Sequence, residues 1–149
     1  MALTTFGAIM GFAAETAEKV NEIYKTLSQE ARDSGLRDIL RVLTEEEEKN
    51  RALMMRTRRE NVTEMILEPV AGLRQEDYEI DLKVADLKED TDILRAAMML
   101  EERGKRFFHD ASLKVPLPEV ARVFRRMAQK KGENLLKLQG LGLNQTLEA

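Results

Sequence analysis

Apolar residues recur in this chain at alternating steps of four and three, and the pattern repeats at a fixed distance of 84 residues. The first helical stretch carries Ala13, Ala17, Val20, Tyr24, Leu27 and Ala31, and the second carries Leu36, Leu40, Leu43, Glu47, Asn50 and Met54. The third reads Ala97, Glu101, Gly104, Phe108 and Ala111, and the fourth Val120, Phe124, Met127, Lys131, Asn134 and Leu138. Such spacing keeps side chains on one face of an α-helix, as a bundle core requires. Phe108 lies 84 residues after Tyr24, and Val120, Phe124, Met127 and Leu138 lie 84 after Leu36, Leu40, Leu43 and Met54. An offset that holds across two helices and their loop marks a duplicated helical hairpin. The expected fold is all-α: a four-helix bundle of two repeated antiparallel hairpins, joined by a long crossover over residues 62–92.

The spacing predicts helices over about 5–33, 36–61, 92–113 and 119–139. Ser34-Gly35 should break the first from the second, and Pro116 and Pro118 close the loop of the second hairpin. Asp90 or Thr91 reads as the N-cap of the third helix, and Gly140 suits a left-handed C-terminal position. In the crossover, Pro69 and Gly72 mark a turn and residues 77–87 read as a short helix. Residues 1–140 form one domain, followed by a loosely held tail, 141–149.

Composition narrows the function classes. Charged residues make up 34% of the 149 and aromatics 5%, with three prolines and no tryptophan, as suits long solvated helices. The absence of cysteine removes disulfides, thiolate metal sites and cysteine nucleophiles together. A net charge of −3 argues against a general nucleic-acid binder. No 18-residue apolar run exists to span a membrane, and the apolar stretch 1–14 lacks a basic head and reads as helix rather than a signal peptide. A cytoplasmic location is expected. There is no glycine-rich phosphate loop and no nucleophile–base pair, and a single histidine, His109, leaves no second one for acid–base work. The clusters Arg56, Arg58, Arg59 and Arg122, Arg125, Arg126, Lys130 read as solvated faces, and the eight methionines as core filling.

The informative residues are polar ones in apolar stripes. Glu47 with Asn50, and Lys131 with Asn134, fall mid-core at matching places 84 apart, and Glu101 falls in the third stripe. A buried charge is costly unless it is paired or bound to a cation. These residues should therefore meet in one polar layer, with the Lys131 ammonium pairing with Glu47, Glu101 or both, and with Asn50 and Asn134 donating to the remaining carboxylate lone pairs.

In four-helix di-iron proteins, one Glu from each of two helices and a Glu-x-x-His from each of the other two project inward. Here the Glu-x-x-His slots read Glu47-Glu48-Lys49-Asn50 and Lys131-Gly132-Glu133-Asn134, and the lone-Glu slots read Ala17 and Glu101. The stretch Leu100-Glu101-Glu102-Arg103-Gly104-Lys105-Arg106-Phe107-Phe108 resembles the third-helix signature of the rubrerythrin branch of the ferritin-like superfamily, in which Glu precedes an aromatic by seven residues. Ile23-Tyr24-Lys25-Thr26-Leu27-Ser28 and Leu43-Thr44-Glu45-Glu46-Glu47-Glu48-Lys49-Asn50 resemble its first and second helices. The resemblance extends to about residue 139 and implies a ferritin-like bundle, a homodimer, and two irons engaged in peroxide or iron–oxygen chemistry.

Carried over slot by slot, only Glu47 and Glu101 keep the family's metal-ligand type. Asn50 and Asn134 stand for histidines, Ala17 has no donor, and Lys131 brings a positive charge. Two carboxylates and two amides can in principle hold a hard cation weakly, but the lysine opposes it. The expectation is a rubrerythrin-like protein that has lost its di-iron centre and acts as a non-catalytic binding or structural protein with no cofactor. The alternative is a non-haem iron oxidoreductase whose site is rebuilt from shifted carboxylates such as Glu15, Glu18, Glu46 or Glu133, with iron as its metal.

Overall fold

The computed structural model describes residues 2–61, 70 and 72–141. Four long helices account for most of them: α1 (Phe6–Glu30), α2 (Ser34–Glu60), α3 (Asp90–Lys114) and α4 (Pro118–Gln139). No strand forms among the described residues; one isolated bridge joins Ala2 to Arg74. α1 packs along α2 and α3 along α4, giving two hairpins that associate as a four-helix bundle. None of these helices is long and apolar enough to cross a membrane.

The ends of the helices follow local chemistry. Thr5 Oγ1 accepts the Ala8 N–H at 3.0 Å and starts α1. The break between α1 and α2 falls at residues 31–33 rather than at Ser34-Gly35. Asp33, two residues into that break, caps α2 by accepting the Leu36 N–H at 2.9 Å, so Ser34 and Gly35 become its first turn. Asp90 and Thr91 are not the N-cap of α3; Glu89 holds that position without a side-chain bond. The Asp90 carboxylate reaches across the bundle instead, accepting the N–H groups of Arg32 and Asp33 at 2.8 and 2.9 Å. It thereby ties the turn of the first hairpin to the start of the second. Gly140 is right-handed, with φ −72°, because its N–H continues the helical bonding to Leu136.

The crossover is not helical over 77–87. Two short 3₁₀ turns, Gln75–Tyr78 and Val84–Asp86, flank an extended strap. Tyr78, Ile80, Leu82 and Val84 turn toward the bundle while Glu79, Asp81 and Lys83 are exposed. That alternation has a period of two, which suits extended chain and not a helix. Gly72 adopts φ +90°, the left-handed region that a turn here needs and glycine allows. Pro69, also expected in this turn, and tail residues 142–149 lie outside the described residues; Leu141, at the tail's start, packs against the core.

The stripes are buried as their spacing requires. Leu40 and Phe124, at equivalent places in the two halves, are both fully buried. The core comes in two apolar pieces. One gathers Phe6, Ile9, Met10, Met54, Phe107, Phe108, Phe124 and Met127, and the other Val20, Ile23, Leu27, Leu36, Leu40, Leu43, Leu94, Leu100 and Leu138. Between them, in the middle of every stripe, lies a layer that is not apolar.

Candidate functional site: a buried ion-pair layer

Each helix brings one or two side chains to this layer because each stripe has a polar or small residue at that height. α2 supplies Glu47, α3 Glu101, and α4 Lys131 and Asn134, none more than 4% exposed. α1 supplies Ala17, buried and without a donor, and, two turns further on, Tyr24. The Lys131 ammonium donates to Glu47 Oε1 and, at 3.2 Å, to Glu101 Oε2. The Tyr24 hydroxyl donates to the same Glu101 oxygen at 2.6 Å. Asn134 Nδ2 donates to Glu101 Oε1 and to Glu46 Oε1, each at 2.8 Å. Glu101 is thus a fully buried carboxylate with both oxygens engaged by three donors, the condition under which a buried charge is tolerable.

The electrostatics follow from the carboxylates outnumbering the ammonium. Burial alone would lower the Lys131 pKa, but Glu47 and Glu101 outweigh it and hold the amine protonated beyond the ordinary lysine range. Burial pushes the Glu47 carboxyl up; Lys131 opposes that and Glu101 reinforces it. Burial also pushes the Tyr24 phenol well up, with Glu101 and Glu47 adding to the effect, so it stays a donor.

Lysine also needs room. A Cβ built on Gly104, mid-helix in α3, would stand 2.6 Å from Lys131 Cδ and 2.7 Å from its Cε. Glycine there lets the Lys131 stem cross the face of α3 on its way to the two carboxylates.

Of the six positions singled out from sequence, Glu47, Glu101, Lys131 and Asn134 converge. Ala17 borders the same space. Asn50 does not join: it is half-buried in a cleft with Glu46, Arg126, Met127 and Lys130, and it donates to neither glutamate. The expected second amide donor is replaced by the Tyr24 hydroxyl. Of the shifted carboxylates, only Glu46 approaches the layer; Glu15, Glu18 and Glu133 are exposed, and Glu18 pairs with Arg51 at 3.7 Å. His109 is exposed, as are all seven residues of the two basic clusters. Among the described residues, no three His, Asp or Glu side chains converge as metal ligands would. A divalent ion between Glu47 and Glu101 would face the ammonium that already bridges them, so this donor set does not fit a pair of irons.

Tyr24 was the residue that the stripe concealed. Its partner at the 84-residue offset is Phe108, and the difference between the two is one hydroxyl. A phenol at a core position requires an acceptor, and that requirement was the available signal. No protein-family model, curated protein or solved structure matches the chain.

Proposed function

We propose that this chain is a ferritin-like protein of rubrerythrin type in which a lysine ammonium has taken the electrostatic place of a di-iron centre, and that it acts as a non-catalytic binding or structural protein. One observation carries the reading: the Lys131 ammonium, at a slot where the resembled family has a carboxylate, donates to both glutamates that keep the family's ligand type. Two facts support it. Glu101 is saturated from within, since Tyr24 and Asn134 occupy it from the sides that Lys131 leaves. The vacant lone-glutamate slot, Ala17, offers no replacement ligand. The buried layer then serves to fix how the two hairpins register against each other, a role in which polar core groups act through specificity rather than raw stability. The homodimer implied by the resemblance belongs to the same proposal.

The test is metal stoichiometry. Protein purified without chelators and then titrated with ferrous iron in air should retain far less than one iron per chain and develop no ferric absorption. Retention of about two irons per chain, as a carboxylate-bridged pair requires, would overturn the reading.

A further inference from the structure

A cavity of about 40 Å³ reaches the ion-pair layer from the α1–α3 side. Its walls include Phe12, Val20, Leu100 and Phe107, and Glu47 and Lys131 lie at its polar end. A second, wider cavity of about 240 Å³ adjoins it, polar rather than apolar, and bordered by Glu15, Lys19 and Glu79. The two share Phe12, Thr16, Tyr78 and Ile80, so the extended strap of the crossover forms the partition between an outer vestibule and an inner pocket. Two small residues, Ala17 of α1 and Gly104 of α3, stand in the wall of the inner pocket.

Two groups at the polar end have bonding capacity left. Glu47 Oε1 accepts from Lys131, while Glu47 Oε2 accepts no hydrogen bond from any described residue, although Glu47 is only 4% exposed. The Lys131 ammonium has three N–H donors and spends two, on Glu47 and Glu101. A buried acceptor and a buried donor therefore stand side by side at the end of an apolar pocket. The group that complements both is a hydroxyl, which donates and accepts through one atom. A ketone accepts only. A protonated amine donates only, and it would face Lys131. A carboxylate accepts only, and it would face Glu47 and Glu101. The volume holds roughly three water-sized groups, which limits the ligand to a few heavy atoms.

We propose that this pocket binds short-chain alcohols, with the hydroxyl seated between Glu47 Oε2 and the Lys131 ammonium and the carbon chain against Val20, Leu100 and Phe107. The site uses the ion-pair layer as it stands. Its failure would leave the metal stoichiometry untouched, whereas two irons in the layer would displace the Lys131 ammonium and remove this site with it, so failure of the site alone is distinguishable from failure of that reading.

The experiment compares four ligands of equal heavy-atom count: 2-propanol, acetone, isopropylammonium and acetate. Each is titrated into the full chain at neutral pH while the ¹³C-methyl resonances of Val20, Ile80 and Leu100 are followed. The expected result is saturable shifts with 2-propanol in the millimolar range, as so small a ligand allows, and binding about tenfold weaker or worse for the other three, the usual consequence of one unmade buried hydrogen bond. Ala17→Leu fills the space and should abolish saturation; Ala17→Val serves if the larger residue prevents folding. The proposal is overturned by the absence of saturable shifts at these methyls, by acetone, the ammonium or acetate matching 2-propanol, or by undiminished binding in the filled variant that folds.

Discussion

Replacing Lys131 by Met keeps the length and apolar stem of the side chain and removes only the ammonium. The side chains of Lys131, Glu47 and Glu101 are 4%, 5% and 0% exposed, so solvent cannot take over the lost charge. Glu47 would lose the only donor it has among the described residues, while Glu101 would keep Tyr24 and Asn134. Removing one partner from a buried ionic set costs about 3–5 kcal/mol, because a charge is left uncompensated. For a chain of this size that corresponds to a drop of roughly 10 °C in Tm. Urea unfolding followed by far-UV circular dichroism should show a lower midpoint at unchanged slope. The loss should also depend on pH. Burial already pushes the Glu47 carboxyl up and Lys131 opposes that; without the cation its folded-state pKa stands further above the unfolded one, so the variant is least impaired when Glu47 is protonated and loses stability as pH rises through the raised value. Adding Glu47→Gln and Glu101→Gln to Lys131→Met removes the stranded charges and should recover most of the stability, as apolar or neutral replacements of buried ion sets do. A loss of less than about 1 kcal/mol in Lys131→Met, the scale of an exposed ion pair, would refute the reasoning, as would a triple variant no better than the single one.

Gly104→Ala should destabilise by about 1–3 kcal/mol, since its Cβ would meet the Lys131 stem at 2.6 Å, although helix propensity alone favours alanine by roughly 1 kcal/mol; thermal melts distinguish the two signs. Tyr24→Phe removes a 2.6 Å bond to the buried Glu101 carboxylate and should cost about 1.5–3 kcal/mol in urea unfolding. Lys131 and Tyr24 both have folded-state pKa values raised above their unfolded ones. Their contribution is therefore full below about pH 10 and is lost as pH rises through the folded values. Stability measured from pH 8 to 12 should fall at the alkaline end, and less steeply in a Lys131→Met, Tyr24→Phe double variant.

The stripes and their 84-residue offset located the four helices, the pairing of the hairpins and the polar layer, because buried helical faces are written in sequence at a period of 3.6. Charge foretold which of these residues meet: the buried Lys131 ammonium pairs with Glu47 and with Glu101. Asn50 shows where that logic stops. It shares an offset with Asn134, yet only Asn134 is buried and bonded to Glu101, because the two halves carry different side chains at matching sequence positions: one brings Ala17 where the other brings Glu101. The N-cap of α3 was misplaced because Asp90 satisfies N–H groups 57 and 58 residues away, a tertiary bond that no local pattern records. The strap was legible in principle. Tyr78, Ile80, Leu82 and Val84 alternate, but the same residues sit close enough to a helical spacing to read as a short helix.

An ammonium, and not a metal pair, joins Glu47 to Glu101 in this structure. A crystal structure of the protein soaked in ferrous iron, with anomalous data collected at the iron edge, tests it most directly. No anomalous peak is expected in the layer, with the Lys131 nitrogen within about 4 Å, the ion-pair range, of a carboxylate oxygen on each of Glu47 and Glu101. Two anomalous peaks about 3.5–4 Å apart between those glutamates, the spacing of a two-metal centre, with Lys131 turned away from both, would contradict it.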